Sequence, residues 1–282
     1  MRKKVQIGLC LVLVAVVLGG IFSIWHRQKA EIAKKETKTS QKEETGDWSE
    51  KYGIDWDAYF DEGGYFGDFG EESINYPAED VKGIYIMAEY ATVHVKHSDE
   101  VDDVEVFTQV GNEYDAISCE MKDGILNLMQ INLDEDASSD ASYIEVTLPD
   151  GMKLDSFHVM QRAGATSLDM DGKIHKVSLN IDAGSIMAER INADSISLDM
   201  NVASVTVKNV DVKDSLKIYN VDGVANFTME KNVGNYDYKV KKNDGKIRLN
   251  GDDISEYTET EKGKVTLNLE TVEGDIILKT LE

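Results

Sequence analysis

A unit of 19 or 20 residues recurs between Lys153 and Met229, and it narrows the possible folds more than any other feature of the chain. Its first strand reads FHVMQ from Phe157, VSLNI from Val177, ISLDM from Ile196 and LKIYN from Leu216. Three residues after each first strand comes a small residue: Gly164, Gly184, Ala203 and Gly223. A second strand follows, TSLDM from Thr166, IMAER from Ile186, VTVKN from Val205 and ANFTM from Ala225. One such unit cannot bury its own apolar face. Units stacked about 4.8 Å apart share a continuous core. The spacing therefore predicts an all-β, repetitive solenoid or β-roll in which like residues stack. Val159, Leu179, Leu198 and Ile218 are expected in one interior column, and Leu168, Ala188, Val207 and Phe227 in a second. The small residues are expected at tight corners, where a side chain would clash.

Strand periodicity extends beyond the repeat. Ile84-x-Ile86, Val93-x-Val95, Val104-x-Val106, Leu126-x-Leu128 and Ile144-x-Val146-x-Leu148 all alternate apolar with polar residues. That is the pattern of half-buried strands, and no stripe of helical period follows the N-terminal segment. The two prolines, Pro77 and Pro149, stand at segment ends, as uninterrupted ladders require.

The N-terminus is of another kind. Val5 to Trp25 is apolar except for Gln6 and Ser23, long enough as a helix to cross the hydrocarbon of a bilayer. Arg2, Lys3 and Lys4 precede it, which places that end in the cytoplasm by the positive-inside rule. No small-residue cleavage site follows, so residues 1–25 are expected to remain as a signal anchor. The expected localisation is a single-pass cell-membrane protein with an extracytoplasmic β-domain over residues 81–282. Residues 26–80 would form a charged stalk and an acidic-aromatic segment. Rings from Trp48 to Tyr76 in that segment are expected to pack on an edge or end of the β-domain. A sticky patch for a cationic or carbohydrate partner is the alternative.

Charge bounds the partners. The chain has a formal net charge of −23, and the +5 of residues 1–30 leaves −28 for the rest. Such a field repels nucleic acid and attracts cations, although the same charge also serves solubility. The expected partners, besides the membrane, are a cell-wall component, a cationic peptide or a membrane protein. No cofactor is expected. Calcium is the one ion considered, because hard cations want clustered carboxylates. Its candidates are Asp134 and Asp136 in one loop, and Asp169 and Asp171 in the fragment Asp169-Met-Asp171-Gly172. Neither loop carries a full ligand set. His94 and His97 are three apart, which on a strand puts their rings on opposite faces and argues against zinc. No P-loop, HExxH, CxxC or GxSxG pattern occurs, so no enzyme is expected.

The corner sequences DAGSIMAE, NVASVTVK and NVDGVANF, the preceding YIEVTLPDGMKLDSFHV and the closing VTLNLETVEGDIILKTL together resemble the DUF4097 family. The resemblance implies a β-repeat domain of the bacterial envelope and a candidate adhesin, sometimes tied to envelope stress, without catalytic residues to carry over. Two functions follow as expectations. One is an adhesin-like surface binding module. The other is a scaffold or regulator of an envelope-stress response that contacts another membrane protein.

Overall fold

The computed structural model describes residues 71–111, 115–132, 142–231, 233–254 and 265–280. The expected anchor, most of the stalk, and Asp134 and Asp136 lie outside them. No helix among the described residues is long and apolar enough to cross a membrane. Among the described residues the fold is all-β apart from one 3-10 turn at Val233–Asn235.

The strands are β1 (Glu71–Tyr76), β2 (Gly83–Ala88), β3 (Thr92–Ser98), β4 (Val104–Gln109), β5 (Asp115–Lys122), β6 (Ile125–Asn132), β7 (Tyr143–Pro149) and β8 (Leu154–Gln161). Next comes β9, an extended ribbon from Ala165 to Asn220 that turns through successive coils of the repeat. The rest are β10 (Val224–Met229), β11 (Tyr236–Lys242), β12 (Lys246–Leu249), β13 (Asp252–Asp253), β14 (Val265–Thr271) and β15 (Asp275–Thr280).

Each coil contributes one strand to each of two parallel ladders, joined by a three-residue corner. Val159 pairs with Leu179 in the first ladder, and Val207 with Phe227 in the second. Leu198 and Ile218 are buried in the same core, as are Leu168 and Ala188. Backbone bonds such as Ser185 N–H to Gly164 O (2.9 Å) and Val221 N–H to Met200 O (2.9 Å) tie coil to coil through the corners.

The stack is longer than the recognisable repeat, and at both ends it departs from chain order. The β2–β3 coil lies against the β8–β9 coil, with Ile86 opposite Val159 and Val95 opposite Leu168. Outside it sits the β6–β7 coil, later in sequence. At the other end the C-terminal β14–β15 coil inserts between the coil ending in β10 and the β11–β12 coil. Antiparallel strands close the ends: β5 on β6, β4 on β7 with β1 outside it on β4, and β13 on β12. The turns Asp123-Gly124 (φ 52° and 81°) and Asn250-Gly251 (φ 52° and 95°) supply the paired positive φ values that two-residue hairpins of right-handed twist need. β1 brings residues 71–76 into the sheet, ahead of the expected boundary at 81, and Tyr76 packs against the core.

The corners explain the small residues. At Gly184 φ is +108° and an added Cβ would stand 2.1 Å from the Gly164 carbonyl oxygen. At Gly223 the obstacle is the Ala203 carbonyl oxygen, 2.3 Å away. Ala203 itself accepts a Cβ. Beside three corners a buried polar side chain donates to a corner carbonyl, its own donor group being satisfied there in turn. Gln161 Nε2 donates to Ala91 O (3.1 Å), Asn220 Nδ2 to Gly223 O (2.9 Å) and Thr271 Oγ1 to Gly274 O (2.6 Å).

Leu198→Asp would bury a carboxylate with no partner, and is expected to cost more than about 3 kcal/mol. Gly184→Ala is expected to cost about 2–3 kcal/mol, whereas Ala203→Gly should cost far less. Chemical denaturation of the three variants checks this ranking, and equal midpoints for Gly184→Ala and Ala203→Gly would contradict the corner account.

Candidate functional site

Outward residues of the second ladder repeat with the coil. Asp169, Glu189 and Lys208 occupy one outward position in successive coils; Arg190 and Asn209 follow directly in theirs, and Asp171 lies one inward residue beyond Asp169. Where these rows meet the end of β3 and the β7–β8 turn, the surface opens into a groove of about 340 Å³. Its walls are His97, Asp150, Asp169, Asp171, Glu189, Arg190 and Asn209.

Several of these groups are engaged. Asp171 and Arg190 form an ion pair, as do Glu189 and Lys208. The carboxylate of Asp171, with Glu230 and Asp169 beyond it, holds the Arg190 guanidinium above its ordinary value. Asn209 Nδ2 donates to Glu189 O (3.0 Å). Asp150 and Asp169 have no ion-pair partner among the described residues. The groove thus sets four carboxylates against one guanidinium, two of the four without a counter-ion.

His97 has a definite tautomer. The Gly172 N–H, 3.3 Å from Nε2, can only donate, so Nε2 carries the lone pair. The proton sits on Nδ1 and is donated to Pro149 O at 3.0 Å. Both ring nitrogens are used.

Of the calcium candidates, only Asp169 and Asp171 lie within the described residues. Asp171 is turned to Arg190, and among the described residues no group of three or more His, Cys, Asp or Glu is placed to hold a metal ion. Asp150, Glu189, Arg190, Asn209 and His97 were not singled out by sequence reasoning as groove residues. The coil spacing was the available signal, since 171, 190 and 209 are each 19 apart.

A second polar cluster lies on the outer face where β3 meets β7. Glu145 accepts from Lys96 Nζ (2.7 Å) and Tyr143 OH (2.7 Å), and meets His94 Nδ1 at 3.1 Å. Burial alone would raise the Glu145 carboxyl, but the donors from Lys96, Tyr143 and His94 win and hold it at about 2. Burial and the neighbouring carboxylate push the Tyr143 hydroxyl up to about 12. The carboxylate is saturated with donors, so the cluster clamps two coils that are far apart in sequence. His94 and His97, three residues apart, serve separate sites on the two sides of β3.

These features define a class, an all-β protein of stacked coils. The chain belongs to the Toastrack DUF4097 family, whose model matches residues 73–280. No curated protein matches it. Among solved structures it is similar to a candidate cell adhesion protein from Clostridium sporogenes, at 14% identity over 75% of this chain and 99% of that one, with a TM-score of 0.47. It is also similar to a candidate adhesin from Parabacteroides distasonis, at 14% identity over 76% and 98%, with a TM-score of 0.32. A candidate lipid-binding protein of the same organism matches at 12% identity over 77% and 98%, with a TM-score of 0.29.

The Glu145 clamp generates a pH prediction. A carboxyl depressed in the folded state adds stability that is present above its unfolded value and lost as pH falls through its folded value. Thermal stability should therefore decline between about pH 4.5 and pH 2. Glu145→Gln should remove part of that decline and cost roughly 1–2 kcal/mol at neutral pH. Melting curves of the two proteins across this range are the check.

Proposed function

We propose that the chain is a non-catalytic binding module that takes up a cationic group of its partner in the acidic groove. One observation carries this reading: Asp150 and Asp169 face a groove of about 340 Å³ without a counter-ion, in a chain of net charge −23. Carboxylates in a concave wall focus the field of the whole surface and draw cations toward it. Asp169 projects from a hydrogen-bonded ladder strand, and the Asp150 N–H is bonded to Ser98 O (3.2 Å), so little ordering entropy is spent on binding. An amine or guanidinium of a peptide or cell-wall component has the charge to meet these carboxylates and fits within the space.

The non-catalytic part is supported by the chemistry present. The lone thiol of the described residues, Cys119, lies on β5 and not in the groove; burial, with Glu72, pushes it up to about 12. The groove holds carboxylates already paired to Arg190 and Lys208, and no hydroxyl or thiol nucleophile beside a base. The apolar segment Val5–Trp25 with its basic flank supports display from a cytoplasmic membrane, with the β-domain outside.

The test is binding of a fluorescent oligolysine peptide to the full-length protein by anisotropy. Affinity should fall as salt rises past physiological strength, because exposed charges are screened there. The double variant Asp150→Asn, Asp169→Asn should weaken binding about tenfold, equivalent to about 1.4 kcal/mol. Undiminished affinity of that variant would exclude the groove as the site.

A further inference from the structure

Four buried apolar residues stand apart from the core. Ala116, Met129, Met87 and Met160 are at most 8% exposed, yet none belongs to the cluster that fills the interior of the coils. They point the other way. In β2 the inward residues are Ile84, Ile86 and Ala88, so Met87 projects outward, and the same alternation sends Met129 out from β6 and Met160 out from β8. Register lines them up: Ser118 is opposite Met129, Met129 opposite Met87, and Met87 opposite Met160. One coil further on, the same row holds a half-buried Asn180. A side chain on the outer face of a sheet stays in water unless something lies over it. No described strand crosses this face, since β5, β6, β2 and β8 meet only their neighbours in the ladder.

We propose that residues 64–70 of this same chain, GYFGDFG, lie across the methionine row and cover it with the rings of Tyr65, Phe66 and Phe69. Connectivity brings the segment to the spot. It runs directly into β1, whose first residue Glu71 pairs with Gln109, and Gln109 pairs with Tyr143 at the start of β7. β7 leaves the corner at which β6 ends, so the chain enters β1 beside the strand that carries Met129. The row crosses four strands, about 14 Å. Seven extended residues reach about 24 Å. The chemistry matches as well: three rings meet three thioethers, and sulfur against an aromatic ring is favourable. Other stretches of chain at this end fit less well. Residues 112–114 hold one ring, Tyr114, and reach only about 10 Å. Residues 133–141, LDEDASSDA, hold no ring.

The flank of the row suits the same contact. Tyr85, the outward residue of β2 before Met87, donates its hydroxyl to Met160 Sδ at 3.9 Å, and its ring lies 6.2 Å from that of His158. Burial, with Lys176 beside it, pushes the outward His158 imidazole below its ordinary value, in keeping with a covered face. The β-domain then starts near residue 64 rather than 81, and the rings of its first segment lie on a sheet face rather than at an edge or end. The cover also keeps oxidant from the methionines, whose sulfoxides would put a polar group where the rings pack.

Oxidation of the full-length protein by hydrogen peroxide, followed residue by residue by peptide mass spectrometry, tests this. Met187, 55% exposed, is the reference for an open thioether, and the inward Met170 and Met200 report that the coils are intact. In wild type Met87, Met129 and Met160 should oxidise roughly tenfold more slowly than Met187. In the triple variant Tyr65→Ser, Phe66→Ser, Phe69→Ser they should approach the Met187 rate while Met170 and Met200 stay protected. Wild-type rates equal to that of Met187, or a row that stays protected in the triple variant, would overturn the proposal. So would exposure of the row by Tyr114→Ser but not by the triple variant, which assigns the cover to residues 112–114. Protection that disappears on dilution would assign it to a second copy, and overturn the proposal as well. Where Met170 and Met200 also oxidise in the triple variant, the coils have opened, and wild-type nuclear Overhauser contacts decide. The methyls of Met87, Met129 and Met160 should show them to the ring protons of Tyr65, Phe66 and Phe69, and their absence rejects the cover.

Discussion

The structure depends on one condition: successive coils must stay in register so that every backbone group and apolar side chain finds its partner one coil away. A single coil has no interior. Its inward residues touch the coils above and below, and its amides bond to theirs. Any corner that added width would displace all the pairs beyond it. This is why the third corner position is small through the stack, from Ala91 through Gly164, Gly184, Ala203 and Gly223 to Gly274 and Gly245. The buried Gln161, Asn220 and Thr271 act on the same condition, because each gives a carbonyl at the turn a donor that water cannot reach.

How much of this was legible in the sequence follows from what spacing can encode. Within Lys153–Met229 the coils follow one another in the chain, so a fixed period identifies neighbours, and Val159, Leu179, Leu198 and Ile218 all lie in the buried core. At the ends the neighbours are set by insertion. Phe227 lies against Leu278, 51 residues away, because the last coil enters between two earlier ones. No period carries that distance. The corner motif was nevertheless present at Gly245 and Gly274, which marks coils without saying where they stack.

The groove was half legible for a related reason. Asp169 and Asp171 were visible as a carboxylate pair, and carboxylates two apart in a turn suggest a hard cation. What they face is decided across coils. Arg190 stands one coil on from Asp171 and takes its charge. His97 enters from a coil that the chain reaches some 70 residues earlier, and its role depends on the Gly172 amide, which no side-chain pattern reveals.

Inward and outward positions also divide the work. The inward columns carry stability, and an exposed ion pair adds little to it, so the outward rows can be arranged for charge. Along this corner they pair in steps of one coil: Asp171 with Arg190, Glu189 with Lys208, and Asp211 with Lys231 at 2.8 Å. Each acid takes its base from the next coil toward β10. Asp169 has no such base, because the residue one coil on in its row is Glu189, itself an acid. Asp150 sits on a turn outside the ladder. The groove lies where coil-to-coil pairing runs out, so the coil geometry itself leaves these two carboxylates without a base from the next coil.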